Sequence, residues 1–242
     1  MTLARKSLIM SPRHQLFVGF LLIALDSVCF AKPPTVIYYP AGATNAVPVM
    51  VWLHGYRSFP GALSDTEYFQ HTADRLQIAI VGIPGTTVMA DETLVWSEEP
   101  VADHHYIQDV LAAVGRRHKL NLERTGLFGF SQGAVVAGDI ASRYPSSYRG
   151  ALLLSPGAIT GPKPATTPID GHKQQIYIAV CGAQEHPMTV QTTRHYARQL
   201  RTVGAKAVMK EYEGMKEHTR PPDFKERFPE WATEILGLKD GR

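Results

Sequence analysis

Short apolar segments alternate along the chain with longer segments in which apolar residues recur at helical spacing. The segment 47–53 is mostly apolar, as expected for a strand that helices cover on both faces. The predicted strands cover 36–39, 47–53, 78–83, 127–130, 148–154, 175–181 and 205–212. The predicted helices cover 63–76, 102–118, 132–144, 190–203 and 224–236. This alternation predicts an α/β domain with a mostly parallel central sheet and helices on both faces.

Two connecting segments have no clear helical or strand pattern. Residues 86–100 are predicted to form a loop that contains Trp96. Residues 157–174 are rich in Pro, Gly and Thr, which predicts a long surface loop. Neither segment marks a boundary between domains.

The first 31 residues have the pattern of a secretory signal peptide. Three basic residues precede the apolar run Leu16–Leu25, and Ala31 is a small residue at the predicted cleavage point. The run is short for a transmembrane helix, although an uncleaved membrane anchor or an acylated Cys29 are alternatives. We therefore predict a signal peptide over 1–31 and one domain over 32–242. The mature protein is expected to be secreted or periplasmic, with no stable membrane span.

Composition is that of an ordinary globular protein, with 44% apolar and 19% charged residues. Without residues 1–31, 22 basic and 21 acidic residues leave a net charge of about +1. No block of like charge is present, so nucleic acid is not an expected partner. Cys181 is the one cysteine that follows the predicted cleavage point, which excludes an intramolecular disulfide in the mature chain. Its position at a strand end predicts a buried thiol.

The strongest chemical motif is Gly129-Phe-Ser-Gln-Gly133, which matches the G-x-S-x-G nucleophile elbow. Glycines on either side of Ser131 allow a strand and a helix to pack closely around the turn. Such a turn exposes the Ser131 hydroxyl at the carboxyl edge of the sheet, where ligands bind in open α/β folds. A serine in an ordinary glycine-rich turn is the alternative, but the position between a strand and a helix favours a nucleophile.

A serine nucleophile needs a histidine base, and the base needs a carboxylate that fixes its tautomer. In elbow-type enzymes the acid and then the histidine follow the serine along the chain. His218 follows the predicted strand 205–212 through a short loop, so it is predicted to be the base. Glu185 is the first carboxylate after the strand that ends at Cys181, and it is predicted to be the acid.

The other downstream candidates fit this order or position less well. They are the histidines His172, His186 and His195 and the acids Asp170 and Asp223.

An oxyanion hole requires two preorganised donors. The backbone N–H of Gln132, directly after the serine, is predicted to be the first. The backbone N–H of Tyr56 is predicted to be the second, because Gly55 lets the loop after 47–53 approach closely. His54, beside this loop, is expected to contribute to substrate binding.

Together these segments resemble α/β-hydrolases of the esterase type. The group includes phospholipase/carboxylesterases, dienelactone hydrolases, and secreted esterases similar to polyhydroxybutyrate depolymerases or feruloyl esterases. The resemblance rests on Trp52–Gly55, Gly129–Gly133, Gly182–Glu185 and Tyr212–His218. It implies an α/β-hydrolase fold and a tryptophan at Trp96 near the substrate cleft, with packing of Trp96 in the core as the alternative. No large cap domain is visible in the sequence, so the site is expected to be open. The chain departs from the group at the acid, since these families normally have Asp where this chain has Glu185.

The sequence thus predicts a serine hydrolase that cleaves small-molecule or lipid-like carboxylic esters through a Ser-His-Glu triad and an acyl-enzyme. No cofactor or metal is expected. The adjacent residues Asp103, His104 and His105 lie on a predicted helix, where neighbours do not face one point. A thioesterase or a serine peptidase with the same triad is an alternative, as is a non-catalytic binding protein. The sequence does not predict the oligomeric state.

Overall fold

Strands and helices alternate in the computed structural model, which describes residues 34–62, 65–157 and 160–238. The strands are β1 (Val36–Tyr38), β2 (Val47–Leu53), β3 (Ala79–Ile83), β4 (Thr87–Val88), β5 (Leu94–Val95), β6 (Leu120–Phe130), β7 (Gly150–Leu154), β8 (Ile176–Gly182) and β9 (Lys206–Tyr212). The helices are α1 (Thr66–Leu76), α2 (Pro100–Gly115), α3 (Gln132–Arg143), α4 (Pro187–Thr202) and α5 (Phe224–Leu236). The predicted signal peptide lies outside the described residues.

Within the described residues, seven strands form the main sheet in the order β1-β3-β2-β6-β7-β8-β9. Strand β1 is antiparallel to β3, and every other pair in this sheet is parallel. The carboxyl ends of β2, β6, β7, β8 and β9 therefore meet at one edge, and each is followed by a loop or helix that starts there. In parallel sheets this edge is where ligands bind.

Helices cover both faces of the sheet, as predicted. On one face, α2, α3 and α4 pack through side chains such as Ile107, Ile140 and Leu200. On the other face, α1 and α5 pack through Phe69 and Phe228. All seven residues of β2 are buried, which explains its nearly continuous apolar sequence. The described chain has no cap domain over the carboxyl edge, and the predicted α/β-hydrolase fold class is confirmed.

Several element boundaries differ from those predicted. Strand β6 begins at Leu120 instead of residue 127. Its first half is polar and less buried than the second, so the apolar pattern indicated only the second half. The predicted loop 86–100 contains the small hairpin of β4 and β5. Helices α2 and α4 each begin earlier than predicted, at a proline, which favours the first turn of a helix.

Two further features of the fold bear on the predictions. Cys181 is buried and free, as predicted, and burial raises the pKa of its thiol. None of the described helices has the length and apolarity that a membrane crossing requires.

Candidate active site

Ser131 occupies a sharp turn between β6 and α3. Its backbone φ of 54° and ψ of −118° are unfavourable for a residue with a side chain. Glycines make the turn possible: a Cβ atom on Gly133 would lie 2.0 Å from the Leu53 carbonyl oxygen, and one on Gly129 would lie 2.3 Å from the Gly133 backbone. The Ser131 N–H donates to the Leu154 carbonyl at 3.0 Å, which fixes the turn against β7. These features are those of a nucleophile elbow.

His218 and Glu185 form a pair beside this turn. The distance from His218 Nδ1 to Glu185 Oε1 is 3.5 Å, and the His218 ring packs on Phe130 with ring centroids 4.7 Å apart. The two side chains differ in exposure: that of Glu185 is fully buried, whereas that of His218 is 43% exposed. Because His218 and Ser131 line the same cleft, the structure brings together the three residues predicted from the sequence.

Two groups hold the Glu185 carboxylate in place. The Ser155 hydroxyl donates to Oε1 at 2.9 Å, and the Gly182 N–H donates to Oε2 at 3.2 Å. Ser155 follows β7 directly, is 1% exposed and has a positive φ of 45°. The sequence analysis did not identify Ser155, although its position directly after a buried strand could have indicated it.

The loop that carries His218 is fastened to the turn that carries Glu185. The Ala183 N–H donates to the Tyr212 carbonyl at 3.0 Å, and the Gln184 N–H donates to the Met215 carbonyl at 3.2 Å. A Cβ atom on Gly182 would lie 2.3 Å from the Met215 carbonyl oxygen, so glycine is needed for this approach. The acid and the histidine therefore lie close together because β8 and β9 are neighbours.

The two predicted oxyanion donors lie on either side of Ser131. Gln132 is the first residue of α3, so its N–H has no partner within the helix. Tyr56 lies in the turn after β2, and the preceding Gly55 packs against Phe130 and Ser131. A Cβ atom on Gly55 would lie 3.5 Å from the Ser131 Cβ atom. This arrangement fits a pair of backbone donors aimed at a carbonyl above Ser131.

An open cleft with a volume of about 440 Å³ lies above these residues. Trp52 and Phe130 contribute apolar surface, and Tyr56, Arg57 and Arg220 contribute polar surface. Such a mixture of apolar walls and a few polar groups is typical of sites that bind small molecules.

Residues 28–230 match the model of the Esterase family. The chain belongs to this family. No curated protein is significantly similar to its sequence.

Solved structures of esterases have the same fold. The Bacillus cereus carboxylesterase has a TM-score of 0.62 and 15% identity, over 83% of this chain and 93% of that chain. Esterase PE8 has a TM-score of 0.61 and 20% identity, over 84% and 97%. The S-formylglutathione hydrolase from Agrobacterium tumefaciens has a TM-score of 0.59 and 15% identity, over 84% and 90%. The predicted resemblance to α/β-hydrolase esterases is confirmed, and the protein is a hydrolase that acts on carboxylic esters.

The other candidate histidines of this esterase lie away from the cleft. His172 is buried, with Nε2 2.7 Å from a backbone carbonyl oxygen. His186 caps the start of α4 by accepting from a backbone N–H at 3.3 Å, and His195 lies within the same helix. None of these three lines the cleft that contains Ser131.

The two other candidates for the acid, Asp170 and Asp223, do not pair with His218 in the structure. Asp170 lies in a short 3₁₀ turn before β8, at the opposite edge of the sheet from Ser131. Asp223 precedes α5, and its Oδ2 lies 3.4 Å from the Arg227 guanidinium. Within the described part of the chain, Glu185 is the acidic partner that His218 has.

The structure places His54 and Trp96 behind the Tyr56 turn instead of in the cleft, where substrate contact was expected. His54 is fully buried; its Nε2 accepts from the Gly85 N–H at 2.8 Å, and its Nδ1 lies 2.8 Å from the Gly55 carbonyl oxygen. Burial lowers the pKa of His54 to about 4, so the ring is neutral, as an acceptor at Nε2 requires. Trp96 is 3% exposed, and its indole N–H donates to the His54 carbonyl at 3.0 Å. Both side chains hold the loop that presents the Tyr56 N–H.

A buried carboxylate also supports Gln132, the other predicted oxyanion donor. The Gln132 side chain accepts from the Trp96 N–H at 3.2 Å and donates to Glu98 Oε1 at 2.8 Å. Glu98 Oε2 in turn accepts from the Thr160 N–H at 2.8 Å. The loop before α2 and the segment that begins at Thr160 are therefore connected directly to Gln132, the residue after Ser131.

Of the adjacent α2 residues Asp103, His104 and His105, the first two have structural partners outside the helix. Asp103 accepts from the Ser97 hydroxyl at 2.8 Å. The His104 ring stacks on Tyr144 with ring centroids 3.7 Å apart. These contacts join α2 to its neighbours.

Proposed function

We propose that this esterase is a serine hydrolase in which Ser131, His218 and Glu185 form the catalytic triad. The observation that carries the proposal is the juxtaposition of a strained elbow serine with a His–Glu pair in one cleft. Serine, acid and histidine also follow one another along the chain in the order of elbow-type enzymes.

The geometry supports a division of roles within the triad. His218 turns Nδ1 toward Glu185, which leaves Nε2 available to accept the Ser131 proton. Glu185 would fix that tautomer and stabilise the imidazolium that forms. The distance of 3.5 Å from Nδ1 to the carboxylate exceeds a normal hydrogen bond, and such contacts commonly shorten when substrate binds.

In the proposed reaction, Ser131 Oγ attacks the ester carbonyl while His218 takes its proton. The Tyr56 and Gln132 N–H groups stabilise the oxyanion, and each such donor typically contributes about 3–4 kcal/mol. His218 then protonates the leaving alcohol, which leaves an acyl group on Ser131. Water, deprotonated by His218, attacks the acyl-enzyme and releases the carboxylic acid.

The proposal extends to the size of the substrate and to the cellular location of the protein. The open cleft favours small or lipid-like esters that reach Ser131 without a cap. The basic and apolar pattern of residues 1–31 supports a secreted or periplasmic protein, which N-terminal sequencing of the exported form would test.

The test of this proposal is turnover of p-nitrophenyl acetate and p-nitrophenyl decanoate, combined with labelling by a fluorophosphonate probe. Wild type is expected to hydrolyse at least one ester and to be labelled. Ser131→Ala is expected to be folded, unlabelled and slower by roughly a million-fold in kcat. Ser142, a buried serine of α3 away from the cleft, provides a matched control as Ser142→Ala, which is expected to be labelled.

Each other outcome has a definite meaning. A labelled enzyme that cleaves neither ester would favour a thioester or peptide substrate with the same triad. A wild-type protein that is neither labelled nor active would refute the triad and favour a binding protein. A Ser131→Ala variant that is still labelled would place the nucleophile elsewhere.

A further inference from the structure

We propose that the esterase prefers esters that carry a carboxylate a few bonds from the scissile carbonyl, and that Arg220 is the main group that binds it. This inference rests on the proposed function and names the substrate class of the same site. Its starting point is the charge of the cleft: the described residues that line it include two arginines, Arg57 and Arg220, and no carboxylate.

Arg220 lies two residues after the proposed base. Its guanidinium carbon is 5.2 Å from the centre of the Phe224 ring, a cation–π contact that orients the side chain without using its N–H donors. Within the described part of the chain, Arg220 forms no ion pair. The nearby Asp65 is bonded instead to the Lys225 ammonium group. The Arg220 charge at the cleft therefore has no matching carboxylate.

Arg57 lines the same cleft. It follows the Tyr56 oxyanion donor in the turn after β2 and has a positive φ of 51°. Its guanidinium pairs with Asp91 at 2.6 Å, and both side chains are about half exposed. Part of its charge is therefore neutralised, and we expect Arg57 to contribute less than Arg220 to binding an anion.

The chemistry of these groups selects a carboxylate over a neutral polar group. A guanidinium has paired donors that match the two oxygens of a carboxylate, and the pair is strengthened by opposite charge. The apolar walls formed by Trp52 and Phe130 suit a short hydrocarbon spacer between the ester and the acid. Half-esters of dicarboxylic acids have this combination of an ester, a spacer and an anion.

A matched pair of substrates tests the proposal. Mono-p-nitrophenyl adipate carries a free carboxylate, and p-nitrophenyl methyl adipate has the same chain with that carboxylate capped as a methyl ester. The quantity measured is the ratio of kcat/KM for the acid to kcat/KM for the diester, from p-nitrophenol release. Rates with Ser131→Ala supply the background.

In wild type at low salt the ratio is expected to be about five- to tenfold, the range for a partly exposed charged hydrogen bond. It should fall to about one in Arg220→Gln and to an intermediate value in Arg220→Lys, which retains the charge but loses the paired donors. It should also fall in wild type at about 0.5 M NaCl, because salt screens exposed charges. Arg117→Gln, an exposed arginine at the opposite edge of the sheet, should leave the ratio at its wild-type value.

Two results would overturn the inference while the proposed function stands. One is a wild-type kcat/KM for the neutral diester that equals or exceeds the kcat/KM for the acid. The other is an undiminished ratio in Arg220→Gln when thermal unfolding shows that the variant is folded. Failure of wild type to hydrolyse either adipate ester would overturn the inference. If the fluorophosphonate probe still labelled wild type but not Ser131→Ala, the proposed triad would stand; if wild type were unlabelled, the proposed function would fall as well.

Discussion

Shortening Glu185 to aspartate is expected to remove most of the activity, although the esterases that this sequence resembles normally have aspartate as the acid. The reason is that the buried Glu185 carboxylate contacts fixed partners through both of its oxygens. Ser155 donates to Oε1 at 2.9 Å, Gly182 donates to Oε2 at 3.2 Å, and His218 Nδ1 lies 3.5 Å from Oε1. Each of these contacts depends on the same methylene groups.

The loss can be estimated from the geometry. Removing one methylene withdraws the carboxylate by about one C–C bond, ~1.5 Å. The contact with His218 would then lengthen to about 5 Å and the contact with Ser155 to about 4.4 Å, beyond hydrogen-bonding distance. Loss of the acid in serine hydrolases lowers kcat by about 10⁴-fold. The unpaired buried Ser155 hydroxyl should cost a further ~1–3 kcal/mol of stability, which lowers Tm by several degrees.

The assay is kcat for p-nitrophenyl acetate together with Tm for a set of variants. Glu185→Asp is expected to lose both activity and thermal stability. Glu185→Gln keeps the side-chain length and should lose comparable activity. Glu213→Asp makes the same change in an exposed glutamate of the loop before His218, and it should match wild type in both measurements. If Glu185→Asp retains more than a tenth of wild-type kcat, the argument from side-chain reach is refuted.

Three further predictions concern buried polar groups, two beside the site and one on α3. Ser155→Ala should lower kcat for p-nitrophenyl acetate about ten- to a hundred-fold, because one of two anchors of the acid is lost; unchanged kcat would contradict this. His54→Ala should lower kcat by a similar factor, because the loop with the Tyr56 donor loses two buried hydrogen bonds, and an unchanged value would show that the loop is held otherwise. Burial raises the pKa of Asp139 from 3.8 to about 7, so the folded state retains a proton that the unfolded state loses, and stability falls as pH rises from about 4 to 7. The Asp139→Asn variant keeps an acceptor for the Tyr196 hydroxyl. In urea unfolding it should therefore be more stable than wild type at pH 8 by up to about 4 kcal/mol, and similar to wild type at pH 4. Equal stability of variant and wild type at both pH values would refute the burial argument.

Local steric patterns explain why much of the fold and the position of Ser131 could be predicted. The strand β2 and the helix α5 have the predicted bounds, since each has a continuous apolar or amphipathic pattern. The elbow was predictable because Gly129 and Gly133 leave the room that this direct turn from strand to helix requires. These features depend on residues that are near one another in the sequence.

Contacts between strand ends could not be predicted in the same way. Ser155 and Glu185 are 30 residues apart and meet because β7 and β8 are neighbours in the sheet. The alternation of strands and helices indicates a parallel sheet but does not give the order of its strands. His54 and Trp96 illustrate the same limit. Their positions near the carboxyl edge of the sheet suggested contact with substrate, but both are buried and are held by hydrogen bonds to residues distant in the sequence.

The way the acid is held indicates which member of the proposed triad can adjust its position. Ser131 is fixed by the elbow, and Glu185 is buried and bonded to residues at the ends of two adjacent strands. His218, by contrast, extends from a loop, packs on one face against Phe130 and is 43% exposed. Because the 3.5 Å distance between His218 and Glu185 joins a fixed group to a less constrained one, it is the histidine that should move when substrate fills the cleft. Catalysis then requires only a small displacement of one side chain within a site that the sheet has already assembled.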